Sequence, residues 1–152
     1  MFPTVQQPEI KDGVSSDKEK TKLANALRRA ANMVSQTRVQ LTTAATGTYT
    51  AIWTSDEMPE GSVWSIEAYV FYRAAAGASS CGRYWRTALF FRDPAGSVTQ
   101  EGVTGNVATP IFAIITFDAR FAIVGNTIQV QVLDDGAATA DWDATITARE
   151  VT

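Results

Sequence analysis

Histidine is missing from this chain of 152 residues, and Cys81 is its only cysteine. The first absence removes the commonest general base, the commonest zinc ligand and every Ser–His or Cys–His nucleophile pair. The second leaves no internal disulfide and no thiolate metal cluster. A lone thiol of this kind is expected as a small apolar residue, buried or half-buried. No apolar run approaches the ~20 residues that cross a bilayer, so membrane insertion is not expected. The opening stretch from Met1 to Pro8 is too short, and too broken by Pro3 and Pro8, for a signal peptide, which makes the cytosol the expected site of synthesis.

A large excess of one charge is also lacking, since the net charge is −3. Its distribution is uneven: seven basic residues stand against four acidic ones through Gly47, and six against twelve beyond it. The basic part is too mixed in sign to make a nucleic-acid footprint. It reads either as a solvated helix face or as a part that docks onto something acidic.

What remains is 45% apolar and 19% charged, the balance of a globular protein with a real core. The length fits one domain plus an appendage. Three segments follow. Residues 1–15, rich in Pro, Gln and charge, read as an extended arm that orders on a partner. Residues 16–46 read as an amphipathic helix. Ser16-Asp17-Lys18-Glu19 matches a capping box, in which the hydroxyl and the carboxylate each satisfy an orphan N–H. Leu23, Leu27, Ala30, Val34, Thr37 and Leu41 then recur at alternating gaps of four and three, a heptad seam. Such a helix would be about 40 Å long. It would pack either on its own β domain or in a bundle with copies of itself, and in the second case Leu23, Leu27, Ala30, Val34 and Leu41 form the oligomer interface. Gly47 is the expected C-cap.

Residues 47–152 read as β throughout. Tyr49 to Thr54 is β-branched and aromatic, and Ser62 to Arg73 alternates Trp64, Ile66, Ala68, Val70 and Tyr72 against Ser65, Glu67, Tyr69, Phe71 and Arg73. Arg83 to Arg92 is a further strand closed by the turn Asp93-Pro94-Ala95-Gly96. Gly125-Asn126 joins Phe121–Val124 to Thr127–Val132 as a hairpin, and Trp142, Ala144, Ile146 and Ala148 define a last strand. Seven or eight short strands of this kind predict an antiparallel β-sandwich or jelly roll.

Trp64 and Trp142 lie on the apolar phases of their strands and are expected in the core. Tyr69 and Phe71 lie on the opposite phase of the Trp64 strand. In the strand from Arg83, Tyr84 and Phe90 share a phase with Arg86 and Arg92, so all four aromatics are expected at a surface or an interface. Exposed aromatics of this kind also fit a carbohydrate-binding module, in which rings stack on glycans. The aspartates Asp134, Asp135, Asp141 and Asp143 lack the spacing of a calcium loop and read as turn and edge residues. A catalytic carboxylate pair needs a cleft that a domain this small scarcely provides. Neither a cofactor nor an enzymatic activity is expected.

The strand pattern resembles the β domains of structural proteins from double-stranded DNA phages, of the tail-fibre, tail-appendage, head-fibre or decoration type. The residues that carry it are Gly47 to Ser55, Met58-Pro59-Glu60-Gly61, Ile66 to Val70, Arg86 to Arg92, Asn126 to Val132 and the strand around Trp142. The resemblance implies a virion protein, commonly trimeric, that serves structure or host attachment. Its partners would be other virion proteins, held through the arm and helix, and a host-surface glycan.

Overall fold

The computed structural model describes residues 18, 20–23, 35–74, 81–112 and 116–151. The chain divides into two units, Met1–Met33 and Val34–Thr152. In the first, residues 20–23 form one helical turn.

In the second unit, the described residues form nine strands: β1 (Ser35–Thr43), β2 (Tyr49–Thr54), β3 (Val63–Ala74), β4 (Cys81–Arg92), β5 (Val98–Asn106), β6 (Ile111–Phe112), β7 (Asp118–Val124), β8 (Thr127–Leu133) and β9 (Ala140–Val151). All pairings are antiparallel. The larger sheet runs β1-β9-β3-β4-β5, with β6 also pairing to β4, and the smaller runs β2-β8-β7.

β1 corrects the helix predicted over residues 16–46, because Ser35–Thr43 is an extended edge strand paired along its length with β9. The physical reason lies in the residues. Thr37, Val39, Leu41 and Thr43 alternate with Arg38, Gln40 and Thr42, and the first set is the less exposed. The four-residue gap between Thr37 and Leu41 fits a two-residue period as well as a helical one, and β-branched threonine and valine favour the strand. Leu27, Ala30 and Val34, predicted on the same seam, lie outside the described residues.

β3, β8 and β9 follow the predicted alternation closely. Ile66, Ala68, Val70, Tyr72 and Ala74 of β3 are buried, as are Ala140, Trp142, Ala144 and Ile146 of β9. From the smaller sheet, Ala119, Phe121, Ile128, Val130 and Val132 enter the same core. A register shift between Ala51 and Trp53 in β2 lets the consecutive residues Ile52 and Trp53 both pack against it. The β7–β8 hairpin turns on Gly125-Asn126, with Gly125 at φ 60°. A positive φ at the first central residue is what a type II′ turn requires.

Gly82 is where the core leaves no room for a side chain. A Cβ there would lie 2.3 Å from Tyr72 Cε1 and 2.6 Å from the Ile111 carbonyl oxygen. The Tyr72 ring cannot simply swing away, because it stacks on Phe117 at 4.5 Å between centroids and 7° between planes. Gly82→Ala should therefore cost about 1–3 kcal/mol, the usual penalty for overpacking. Thermal unfolding tests this, and a melting temperature within about a degree of the parent would show that the ring has space to yield.

Candidate functional site

The two sheets finish their outer faces differently. On the smaller sheet, the phase opposite the core carries Arg120, Gln129 and Gln131, and Arg120 Nε donates to Gln131 Oε1 at 3.0 Å. That face is largely polar, with the 51% exposed Val124 at the hairpin end of the same phase. The outer face of the larger sheet is split into a polar half and an apolar half.

Strand register sets the rows of that face. Arg38, Thr145, Tyr69 and Trp85 stand side by side across β1, β9, β3 and β4. Val107 extends the row, its N–H donating to the Trp85 carbonyl at 2.9 Å. The neighbouring row is Gln40, Asp143, Phe71, Arg83 and Ile111. A third holds Thr42, Asp141, Arg73 and Cys81.

The apolar half lies over β3, β4 and their neighbours. Tyr69 packs edge-to-face on Phe71 at 4.5 Å and on Trp85 at 5.4 Å. Arg83 Nη1 donates to the Tyr69 hydroxyl oxygen at 3.3 Å. Within and beside this cluster Phe71, Val107 and Ile111 are 44%, 43% and 56% exposed, whereas the exposed Leu89 stands apart, beyond the polar row of Glu67 and Thr87. Water-facing antiparallel strands normally carry polar residues at such positions.

The polar half lies over β1 and β9. Arg38 pairs with Asp143 in a two-pronged bridge whose Nε–Oδ1 distance is 3.0 Å, and Gln40 Nε2 donates to Asp143 Oδ2 at 3.1 Å. Hydrogen bonds from Arg38 and Gln40 hold the Asp143 carboxyl below the usual carboxylate range. Thr42 Oγ1 donates to Asp141 Oδ1 at 2.8 Å, and Arg73 lies 3.6 Å from Asp141. Where the two halves meet there is an open trough of about 490 Å³, with Gln40, Thr42, Phe71, Arg73, Asp141 and Asp143 among its lining residues.

Tyr69 and Phe71 thus occupy the outer face, as expected. Tyr84 and Phe90 do not, and the expectation that they are surface or interface aromatics is corrected: they are 2% and 0% exposed. The arginines on their phase suggested an outward direction, yet both guanidinium groups are satisfied at the margins of the core. Arg86 donates to the Ala119 carbonyl at 3.1 Å and bridges Asp118 at 3.0 Å. Arg92 donates to the carbonyls of Gly96 at 3.0 Å and Met58 at 2.7 Å, and pairs with Glu57 at 2.9 Å. The Tyr84 hydroxyl finds its own acceptor in the Phe117 carbonyl. Trp85, Leu89 and Phe91 take the outer phase instead. Cys81 is also exposed rather than buried, since it opens β4 on that phase.

Of the predicted oligomer residues, Leu41 points inward from β1 and packs against the core, which removes it from any helical seam. Leu23 is 61% exposed. Trp64 and Trp142 serve the core as expected, the first partly and the second fully buried.

Among the aspartates, Asp135 closes a turn, accepting from the N–H groups of Ala137 and Ala138 at 2.9 and 3.0 Å. Asp134 is 1% exposed, and its Oδ1 accepts from Gly47 N–H at 2.7 Å and Gly136 N–H at 3.0 Å. It staples the β1–β2 loop to the β8–β9 loop. Burial pushes its pKa up, but hydrogen bonds from the Gly47 and Gly136 N–H groups, the Thr43 hydroxyl and the Thr46 backbone together outweigh it and hold the carboxyl below its usual range. Among the described residues no group of three or more histidine, cysteine or carboxylate side chains is placed to hold a metal ion.

The trough was accessible to sequence reasoning and was missed. Asp141 and Asp143 flank Trp142, so burying the tryptophan sends both carboxylates to the opposite face. What no local pattern showed is that β9 lies between β1 and β3, bringing Phe71 beside them.

No protein-family model and no curated protein matches the chain. Among solved structures it is similar to the tailspike protein of Acinetobacter baumannii phage AM24, at 10% identity and a TM-score of 0.47, over 82% of this chain and 27% of that one. It is also similar to a tailspike protein of Acinetobacter baumannii bacteriophage Fri1, described as a capsular polysaccharide depolymerase, at 10% identity and a TM-score of 0.38, over 79% of this chain and 20% of that one. The chain therefore spans about a quarter of the length of the first protein and a fifth of the second.

Proposed function

We propose that this chain is a structural component of a double-stranded DNA phage particle, of the fibre, tail-appendage or decoration type. In this reading its two sheets face each other as a β-sandwich, its β domain is non-enzymatic, and it assembles with copies of itself, as a trimer, through the apolar half of the larger sheet. The assignment to phage particles rests on the strand-pattern resemblance in the sequence. The assembly reading is carried by one observation: the Tyr69–Phe71–Trp85 cluster and the exposed Val107 and Ile111 beside it form a contiguous apolar stretch on an outer sheet face. Apolar side chains of this kind gain about 25 cal/mol for each Å² withdrawn from water. Interface cores are rich in aromatic residues and in arginine, which fits Tyr69, Phe71, Trp85 and Arg83 of this half. The N-terminal segment, through Leu23, Leu27, Ala30 and Val34, contributes a second anchoring element to other virion proteins.

Sedimentation velocity tests the reading. The full chain should run as an oligomer, and Val107→Asp combined with Ile111→Asp should shift it to monomer while leaving its unfolding midpoint nearly unchanged. Leu27→Asp, assayed beside it, separates a contribution of the N-terminal segment from that of the sheet. A full chain that stays monomeric at high concentration would remove assembly from the account.

A further inference from the structure

We propose that the outer edge of β1 is a strand-addition site for the β1 of a second copy, the two strands running antiparallel across a twofold axis at Val39. This contact goes beyond the assembly reading and uses a different element from the apolar half of the sheet, so either can fail alone.

Strands that end a sheet present unpaired N–H and C=O groups, and folded proteins normally blunt them. β5 is broken by the register shift around Gly102, and β2 is six residues long with a shift inside it. On β7 the Ala119 carbonyl already accepts from Arg86. β1 has none of these devices. It runs nine residues in unbroken register with β9, without proline, glycine or a positive φ. Among the described residues no strand pairs with its other side. Its one charged side chain, Arg38, is drawn away from that side by Asp143 on β9.

The sequence of β1 says what fits there. Antiparallel pairing about Val39 uses all nine residues. It sets Arg38 opposite Gln40 of the second copy, Gln36 opposite Thr42, and Thr37 opposite Leu41. Core-facing residues then meet core-facing residues, and like charges never meet. An axis at Arg38 would oppose two guanidinium groups, and one at Gln40 would leave Ser35 and Gln36 unpaired. The residues just before β1, Ala24 to Met33, are rich in alanine and asparagine, which are poor strand formers. A second copy therefore suits the edge better than a hairpin of the same chain. The contact would be about 30 Å long and one sheet, about 10 Å, thick, so it covers on the order of 600 Å² over both partners. That is about half of what a stable complex buries, which makes the pair weak in dilute solution and effective where another contact already holds copies together.

The test uses the chain carrying Val107→Asp and Ile111→Asp, in which the apolar face is disabled. Sedimentation equilibrium and amide chemical shifts compare about 10 μM with about 1 mM protein. The chain should be monomeric at the lower concentration and substantially dimeric at the higher, with concentration-dependent shifts centred on β1. Gln40→Glu, opposite Arg38, should tighten the pair about fivefold, because the twofold makes the new ion pair twice, and Gln40→Lys should weaken it at least as much. The same changes at Gln36, opposite Thr42, should move it less than about twofold. Made in the parent chain, the Gln40 changes should shift its mass at high concentration in the same directions, a readout independent of the double variant. An oligomer that survives Val107→Asp with Ile111→Asp but yields to Gln40→Lys would sink the face reading and support this one. The proposal is overturned if the chain stays monomeric at about 1 mM, if the Gln40 changes leave pairing unaltered, or if the moving amides lie away from β1.

Discussion

Trp142→Ala is expected to remove about 3–5 kcal/mol of folding free energy, at the upper end of what a single truncation costs. For a domain whose whole stability is on the order of 5–15 kcal/mol, this brings the folded state close to its limit. The indole is 2% exposed, lies 5.2 Å from Tyr72 and 5.8 Å from Phe117 between ring centroids, and donates from Nε1 to Thr43 Oγ1 at 3.2 Å. One side chain thereby joins β9, β3, β1 and the approach to β7. Alanine would leave a cavity the size of most of an indole among rings already stacked on one another, so little relaxation can fill it. Chemical denaturation gives the number directly. Thr43→Val separates the polar part, since it strands the indole N–H and should cost roughly 1–2 kcal/mol by itself. A loss below about 1 kcal/mol for Trp142→Ala would mean that the indole is not packed as described.

Asp134→Ala should cost about 3 kcal/mol, by leaving the amides of Gly47 and Gly136 without their charged acceptor. The two loops it joins approach backbone to backbone: a Cβ on Gly136 would lie 3.3 Å from Gly47 Cα, and both glycines have positive φ, 63° and 71°. The carboxylate lies beside the only kind of residue that permits this approach. The same group gives stability a pH dependence. Its folded pKa is depressed, so its contribution is fully present above the unfolded value of about 3.9 and is lost as pH falls through the lower folded value. Asp143, held low by Arg38 and Gln40, acts in the same direction. Denaturation midpoints should therefore fall below about pH 4, and Asp134→Asn should flatten that acid limb while losing less at neutral pH than alanine does. An acid limb unchanged by the asparagine would show that other carboxylates govern it.

Most strands could be read from the chain because their alternation is strict. In β8, Ile128, Val130 and Val132 alternate with glutamines, and in β9 Trp142, Ala144 and Ile146 alternate with polar residues. Two features misled. The spacing of Thr37 and Leu41 satisfies two periods at once, and only pairing with β9 selects the extended one. In β4 the inward phase carries Arg86 and Arg92, so a rule that sends charge outward reverses the strand. Arg86 is satisfied from β7, by the Ala119 carbonyl and Asp118, and Arg92 by the Met58 carbonyl and Glu57 as well as by Gly96 in its own turn, and all but the last lie far away along the chain. β5 shows no clean alternation along the chain, because Gly102, at φ 70°, and Gly105 interrupt it where the register against β4 shifts. The site was partly legible for a similar reason. Tyr69 and Phe71 announced an outward aromatic pair, whereas its neighbours Trp85, Val107 and Ile111 come from elements joined to it only by register.

The position of β9 has a consequence for how this molecule comes into being. Among the described residues Ala140–Val151 follows the other eight strands, yet it is inserted between β1 and β3 and hydrogen-bonds to both. During translation, β1 and β3 therefore leave the ribosome before the strand that will join them exists. Until it arrives, each offers an open edge and an uncovered apolar side to any neighbouring chain. Closure of the larger sheet is a late, long-range event of the kind that makes β proteins fold slowly. The interval before β9 emerges is the stage at which nascent copies are most prone to pair with one another instead of with themselves.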